Sequence, residues 1–251
     1  MLAKQASGRE RAGVAQRFII TVTGAMLLLA ATSAQAAFIH SASSEPDLGL
    51  AIASNSYQGG TEGAIVHTLD LAAPGDEFIL DDIEAVKVTL WIDHSRAGDL
   101  TVKLVSPAGT EIFLMNRPGA AGVWGDGTPH GSARGSTGRL SAAFPVTFHD
   151  NAELSSHEMG NGPSYPIIGN AGPSQFRPSA NGYSQGNALL GLLAGEQAAG
   201  QWTLIVGDAA PDNAGVLEQW SIEVTTIPEP AAATLLAAGL VLLASRRRRG
   251  L

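Results

Sequence analysis

The chain lacks cysteine, and its central part has few basic residues. Without cysteine there is no disulfide framework, no thiolate metal site and no thiol nucleophile. Eight of the 15 basic residues lie in the two terminal segments, so residues 37–227 carry seven basic and 21 acidic residues, a net charge of −14. An acidic body repels phosphate backbones, which argues against nucleic acid as a partner and favours cations such as calcium.

Catalytic motifs are missing as well. The sequence contains no G-x-S-x-G nucleophile elbow. His157-Glu158 begins like a zinc-protease motif, but Asn161 stands where the second histidine would be. The six histidines, His94 among them, show no paired spacing and are predicted to lie on the surface or in turns. We therefore expect a protein that is not an enzyme.

The N-terminus has the three parts of a secretory signal peptide. Basic residues come first, the apolar run 18–31 follows, and then the small-x-small triplet Ala34-Gln35-Ala36. An amphipathic helix of a cytosolic protein would need a polar face, which the apolar run lacks. The pattern predicts a signal peptide over residues 1–36, cleavage by signal peptidase after Ala36, and a mature chain that starts near Ala37.

The body has the alternation of β-strands. Residues 84–93 place four aliphatic side chains on one face, and residues 99–115 predict a hairpin. Trp202 and Trp220 fall on the aliphatic sides of two later strands, which indicates core packing. Helix is scarce, with residues 189–199 as the best candidate, and residues 119–138 and 160–186 are predicted to be long loops. The sequence predicts a single all-β domain, a sandwich or a barrel.

Four aspartates stand in loops or at strand ends, where calcium ligands are usually found. They are Asp99, Asp150, Asp208 and Asp212. Calcium prefers six to eight hard oxygens from carboxylates, amides and carbonyls. The alternative is that these residues make turns at strand ends, because an Asp side chain hydrogen-bonds the backbone there. Both interpretations stay open from the residues alone.

Two separated segments resemble the P domain, or Homo B domain, of kexin-like subtilases. These segments are residues 92–114 (IDHSRAGDLTVKLVSPAGTEIFL) and 200–224 (GQWTLIVGDAAPDNAGVLEQWSIEV). The matching positions include His94, Gly98, Asp99, Leu100, Ser106, Pro107, Gly109, Thr110, Gly200, Trp202, Asp208, Asp212, Gly215, Leu217 and Trp220.

This resemblance implies a jelly-roll-like β-sandwich over residues 54–226, preceded by a lead-in at residues 37–53, with structural calcium in its loops. Ser95 and Ala214 depart from the family, which usually has threonine at both positions. A P domain normally stabilises an attached protease, and no protease domain precedes it in this sequence. The resemblance therefore implies a structural or binding module.

The C-terminal residues 227–251 resemble a PEP-CTERM sorting signal. Pro228, Glu229 and Pro230 keep the backbone extended, and the apolar residues 231–245 follow. Arg246, Arg247, Arg248 and Arg249 are expected to stay cytoplasmic by the positive-inside rule. The apolar run is a short transmembrane helix at best, about 22 Å long. The resemblance implies removal by an exosortase-type membrane enzyme; a plain anchor or a short buried helix is the alternative.

Taken together, the sequence predicts an exported, non-enzymatic protein of the cell surface or extracellular matrix. The body would be held transiently at the membrane by its tail, in a sorting system linked to exopolysaccharide and biofilm. It would bind exopolysaccharide, another envelope protein or calcium. The second hypothesis is a partner subunit that stabilises a separately encoded, secreted subtilisin-like protease. A hydrolase with an unrecognised site is the third.

Overall fold

A computed structural model describes residues 38–72, 85–121, 126–129, 134–160, 167–170, 172–179 and 190–226. Within these residues it has eleven strands: β1 Phe38–Ser43, β2 Leu50–Ile52, β3 Ile65–Leu71, β4 Ala85–His94, β5 Leu100–Val105, β6 Glu111–Asn116, β7 Val146–Phe148, β8 Leu154–Ser155, β9 Gln175–Arg177, β10 Gly200–Asp208 and β11 Gly215–Thr226. Three short 3-10 helices accompany them, at Ala97–Asp99, Ser156–Glu158 and Leu190–Leu193.

The predicted terminal segments lie outside this description. The signal peptide at residues 1–36 and the sorting signal at residues 227–251 both fall on residues that the structure does not describe. Over the described ranges, none of the helices is both long enough and apolar enough to cross a membrane.

The strands form two sheets. The larger sheet has the order β1-β11-β4-β7-β9-β8, and β2 also pairs with β11. The smaller sheet has the order β3-β10-β5-β6. All pairs are antiparallel except β7 with β9 and β8 with β9. Consecutive strands β10 and β11 thus belong to different sheets, and the turn between them crosses from one layer to the other.

The core lies between the two sheets and follows the alternation of the sequence. Strand β4 contributes Val86, Val88, Leu90 and Ile92, and β5 contributes Leu100, Val102 and Leu104, all at most 1% exposed. Trp202 and Trp220 are fully buried in the same hydrophobic cluster. The predicted all-β sandwich is confirmed, as are the hairpin of β5 with β6 and the core position of both tryptophans.

The first strand of the described body pairs with the last. Strand β1 runs antiparallel to the C-terminal half of β11, from Phe38 opposite Thr226 to Ser43 opposite Ser221. Strand β2 continues along the same side of β11, opposite Gly215–Leu217. Residues 38–52 therefore supply two strands of the larger sheet.

The helix predicted at residues 189–199 is wrong. The structure has only one 3-10 turn, Leu190–Leu193, and the chain then continues through further turns to β10. Gly195 adopts a φ of +84°, which an α-helix cannot contain. The apolar side chains of Leu193 and Ala198 are each buried. Apolar residues in this segment can therefore be buried without forming one face of a helix.

Strand β5 is buried on its outer face as well as its inner face. Thr101 and Lys103 point away from the core by alternation, yet they are only 1% and 4% exposed. The Thr101 hydroxyl donates to Gly127 O at 2.8 Å, and the Lys103 ammonium lies 4.9 Å from the centre of the Phe113 ring. Loop residues distant in sequence cover this face, which alternation within one strand does not reveal.

Candidate functional site

Five polar side chains meet at one end of the sandwich, where β4 ends and β10 turns into β11. His94 is the last residue of β4, and Asp208 is the last residue of β10. Asp99 closes the 3-10 helix that leads into β5, Arg117 follows β6, and Asn213 lies in the turn before β11. We call these five residues the charge cluster. All but Asn213 are at most 3% exposed.

His94 and Asp208 form its central contact. Nε2 of His94 lies 3.0 Å from Oδ2 of Asp208, and both side chains are completely shielded from solvent. Nδ1 of His94 lies 3.1 Å from the backbone N and 2.9 Å from the backbone O of Arg96. Asp208 also accepts the Ala210 N–H at Oδ1, at 2.7 Å. Both ring nitrogens are occupied inside the protein, so this histidine is a structural link between strands.

Asp99 ties the same region to the β10–β11 turn. Its Oδ2 accepts from the Asn213 amide at 2.7 Å, and its backbone carbonyl accepts from Ala209 N at 3.1 Å. Oδ1 lies 3.6 Å from Nε of Arg96, which is an ion pair but too long for a hydrogen bond. Burial, and then the nearby charge of Asp208, raise the pKa of the Asp99 carboxyl, while Arg96 partly opposes the shift.

Arg117 supplies positive charge inside the cluster. The side chain is 1% exposed, and the backbone has a φ of +47°, which is uncommon for a residue with a side chain. Burial lowers the pKa of the guanidinium, whereas the charges of Asp99 and Asp208 raise it. The two buried carboxylates therefore have a positive charge within electrostatic range, although Arg117 forms no direct ion pair with either of them.

The four predicted calcium ligands do not meet at one place. Asp99 and Asp208 lie in the charge cluster, and Asp212 is exposed and pairs with Arg134 at 3.1 Å. Asp150 follows β7, whose Phe148 lies opposite Val88 of β4, so it lies towards the other end of the sheet from His94. The Asp150 carboxylate accepts the N–H groups of Leu190 and Gly191, at 3.2 and 2.9 Å.

The residues present do not fit a calcium ion. Calcium requires six to eight oxygens. Both oxygens of Asp208 and one of Asp99 already accept hydrogen bonds, and two arginines stand beside these carboxylates. In the described part of the chain, no group of three or more His, Asp or Glu side chains could hold a metal ion.

An open cleft lies beside the charge cluster. It has a volume of about 300 Å³ and is lined by residues 93–95, 139–141 and 214–216 together with Ile167. We call it the cleft. Its walls are held by backbone hydrogen bonds: His94 and Leu140 bond each other at 3.1 and 2.9 Å, and Ile168 N donates to Arg139 O at 2.9 Å. The cleft is therefore a preformed feature.

A glycine allows the loops around this end to pack closely. A Cβ on Gly98 would lie 2.2 Å from Ser136 N and 2.3 Å from the carbonyl carbon of Gly135. Gly98 N donates to Ser136 O at 3.1 Å, and Ala97 N donates to Gly138 O at 2.7 Å. The C-terminal part of the loop predicted at residues 119–138 is thus fixed to the sandwich through its backbone.

Sequence reasoning missed several of these residues. His94 is predicted to lie on the surface or in a turn, whereas the structure buries it at the end of β4, although it is one of the positions that carry the P-domain resemblance. Arg117 was missed because a polar residue after a strand usually faces solvent. Arg139 was missed because its neighbours in sequence gave no motif. Only the pairing of distant segments brings these side chains to one end of the sheets.

The two sheets and the interior charge cluster define a β-sandwich whose end loops are locked together by buried polar contacts. The family model of the Proprotein convertase P-domain matches residues 83–137 and 175–224 of this sequence. These two stretches include β4, β5, β6, β9, β10 and most of β11. The P-domain resemblance of this body is thereby confirmed.

Two solved structures are similar to the chain at a lower level. One is a complex of a serine protease of Aeromonas sobria with a chaperone, at 18% identity and a TM-score of 0.35. The other is the serine protease of Aeromonas sobria, at 18% identity and a TM-score of 0.34. They cover 77% and 76% of this chain, which itself spans 27% of the length of either protein. None of the curated proteins matches this sequence.

Proposed function

We propose that the chain is an exported, non-catalytic protein and that its P-domain-like sandwich is a binding or structural module. The observation that carries this proposal is the environment of His94. Its imidazole contacts Asp208 through one nitrogen and the Arg96 backbone through the other, and it is 0% exposed. A general base needs a nitrogen within reach of a substrate. The His–Asp pair of this sandwich instead holds its loops in place.

Export and sorting are part of the same proposal and are supported by sequence alone. Signal peptidase would remove residues 1–36, and an exosortase-type enzyme would act on the tail that begins at Pro228. The body would then reach the cell surface or the extracellular matrix, where exopolysaccharide or an envelope protein is its partner. The two ends of the described body, Phe38 and Thr226, lie opposite each other on neighbouring strands.

The sorting proposal is tested by the intact mass of the protein recovered from the cells that make it. We expect a chain that begins near Ala37 and lacks the arginines at 246–249. Replacement of Pro228, Glu229 and Pro230 by alanine should leave unprocessed protein in the inner membrane. Normal processing of that variant would contradict the sorting signal.

The second candidate function is that of a stabilising partner of a separate protease. The match to the Proprotein convertase P-domain supports it. The two candidates differ in what is recovered with the protein. A tagged chain purified from the secreted fraction should carry polysaccharide if it belongs to the matrix. Recovery of one subtilisin-like protease in a one-to-one ratio with the tagged chain, without polysaccharide, would favour the partner role.

A further inference from the structure

The cleft contains the one exposed Lys or Arg of the described body that forms no ion pair with a described carboxylate. Seven basic residues lie in residues 37–227. Four of them form ion pairs with carboxylates: Lys87, Arg96, Lys103 and Arg134. Arg117 is buried in the charge cluster, and Arg177 is partly buried. Arg139 is exposed, and across the described ranges no Asp or Glu oxygen lies within 4.0 Å of its guanidinium.

A guanidinium that forms no ion pair with the described residues is well suited to bind an anion from outside. The body carries a net charge of −14, so an anion is attracted only where a basic residue outweighs that overall negative field. A guanidinium offers two parallel N–H groups that match the two oxygens of a carboxylate. Arg139 is therefore the group in the cleft that selects the charge of the ligand.

The other residues that line the cleft indicate which further groups the ligand has. Asp93 accepts the Ala142 N–H at its Oδ1, at 3.0 Å, and its exposed carboxylate can also accept an N–H from a ligand. Leu140, Ile167 and Val216 contribute aliphatic surface. A ligand that contacts Arg139, Asp93 and the aliphatic surface together has a carboxylate, an amide N–H close to it, and a small aliphatic side chain. The last residue of a peptide combines these groups.

A sugar acid shares the carboxylate but fits the remaining walls less well. Sites for sugars commonly present an aromatic face on which a ring can stack, whereas the described residues of this lining include no Trp, Tyr or Phe. The volume of about 300 Å³ is at the lower end of the range for ligand pockets, which suits one or two residues. These observations favour a peptide.

We propose that the cleft binds the C-terminal end of a peptide, with Arg139 holding the terminal carboxylate and Asp93 accepting the last amide N–H. This proposal rests on the proposed role as a binding module and names the class of its partner. The partner is a protein whose chain ends in a small aliphatic residue with an uncapped carboxylate.

The experiment measures binding of a fluorescent peptide, Gly-Gly-Ala-Val with a terminal carboxylate, to the full chain by polarisation. We expect the same peptide with a terminal amide to bind at least about tenfold more weakly, because a charge-assisted hydrogen bond is lost. Arg139→Gln should weaken binding of the carboxylate peptide to the same extent. Arg134→Gln is the matched control, because it removes another exposed guanidinium that lies outside the cleft, and it should bind like the parent chain.

The thermal midpoint of Arg139→Gln should equal that of the parent chain, so that lost binding is not lost folding. Equal binding of amide and carboxylate peptides would overturn the proposal, and so would full binding by Arg139→Gln. Binding of a galacturonate trisaccharide that depends on Arg139, with no binding of the peptide, would assign the cleft to an acidic sugar. Because export and co-purification are measured separately, a cleft that binds no probe overturns this inference alone.

Discussion

The charge cluster and the cleft are neighbours that use polar residues in opposite ways. Both are built on the end of β4 and the turn before β11, and His94 belongs to the lining of one and the centre of the other. In the charge cluster, carboxylates, imidazole and guanidinium are buried together. In the cleft, Arg139 is exposed and carries no ion pair within the described residues. Substitutions in the first should change stability, whereas substitutions in the second should change binding.

Removal of Asp208 should have the largest effect. Asp208→Ala leaves His94 without its hydrogen-bond acceptor and removes one of the two charges that balance Arg117. We expect a loss of about 3 kcal/mol in the free energy of unfolding, as when one partner of a buried pair is removed. Urea-induced unfolding measures this loss.

The control for Asp208→Ala is Glu223→Ala, which removes a carboxylate from the exposed pair with Lys87 at 2.8 Å. Surface pairs contribute between about 0 and 1 kcal/mol. If both variants lose the same free energy, the charge cluster is not a stabilising network and the comparison with the cleft fails.

A methyl group at Gly98 should come next. Its Cβ would meet backbone atoms of Gly135 and Ser136 at 2.2–2.5 Å, and backbone cannot move aside as a flexible side chain can. We expect Gly98→Ala to destabilise the chain by about 1–3 kcal/mol, the usual cost of overpacking. Gly60→Ala is the control, because nothing lies within 4 Å of its added Cβ. A neutral Gly98→Ala would show that the loops around the cluster are not fixed.

The titration of Asp99 should give a smaller effect with a defined sign. Because burial raises the pKa of this carboxyl, the folded chain keeps a proton over a pH range where the unfolded chain has lost it. Asp99 therefore makes the parent chain less stable as pH rises from about 4, the ordinary value for Asp. We expect Asp99→Asn to gain stability relative to the parent over that range in urea unfolding at several pH values.

Asp126 provides the opposite case. Hydrogen bonds from Thr128 lower the pKa of the Asp126 carboxyl. That carboxylate is stabilising above its ordinary pKa, and the stability is lost as pH falls through the lowered value. Asp126→Asn should therefore lose stability relative to the parent chain as pH rises. Equal slopes for the two variants would contradict the assigned environment of Asp99.

Calcium should have the smallest effect. A bound ion raises stability by mass action, so a calcium site would raise the thermal midpoint. Because Arg117 and Arg96 already balance the carboxylates of the cluster, we expect the same midpoint in millimolar calcium and in chelator. A rise of several degrees with calcium but not with magnesium would show that a metal site exists, contrary to the geometry.

The sequence predicted those parts of the fold that depend on local pattern. Val86, Val88, Leu90 and Ile92 alternate because one face of β4 meets the core, and the pattern is visible within ten residues. The burial of Lys103 was not predictable in this way, since it depends on loops that return to cover the outer face of β5. The helix predicted from leucines and alanines failed because burial of single side chains gives the same composition.

The candidate site was predicted only in part for the same physical reason. Asp99 and Asp208 were singled out individually as acidic residues at strand ends. Their neighbours in the structure are His94, at the end of β4, and Arg117, which follows β6. Spacing along the chain does not predict that these side chains come close to the two aspartates. The P-domain resemblance included His94 and both aspartates, yet it did not reveal that arginine balances their charge.

The pairing of β1 with β11 has a mechanical consequence. Phe38 and Thr226 are opposite each other at the end of two antiparallel strands, so tension applied between these two points loads one hydrogen-bonded pair at a time. The strands would separate from that end pair by pair, under a smaller force than a pull along the strand axis, which would load many pairs together. A force that moves both residues in the same direction does not load the hydrogen bonds between β1 and β11.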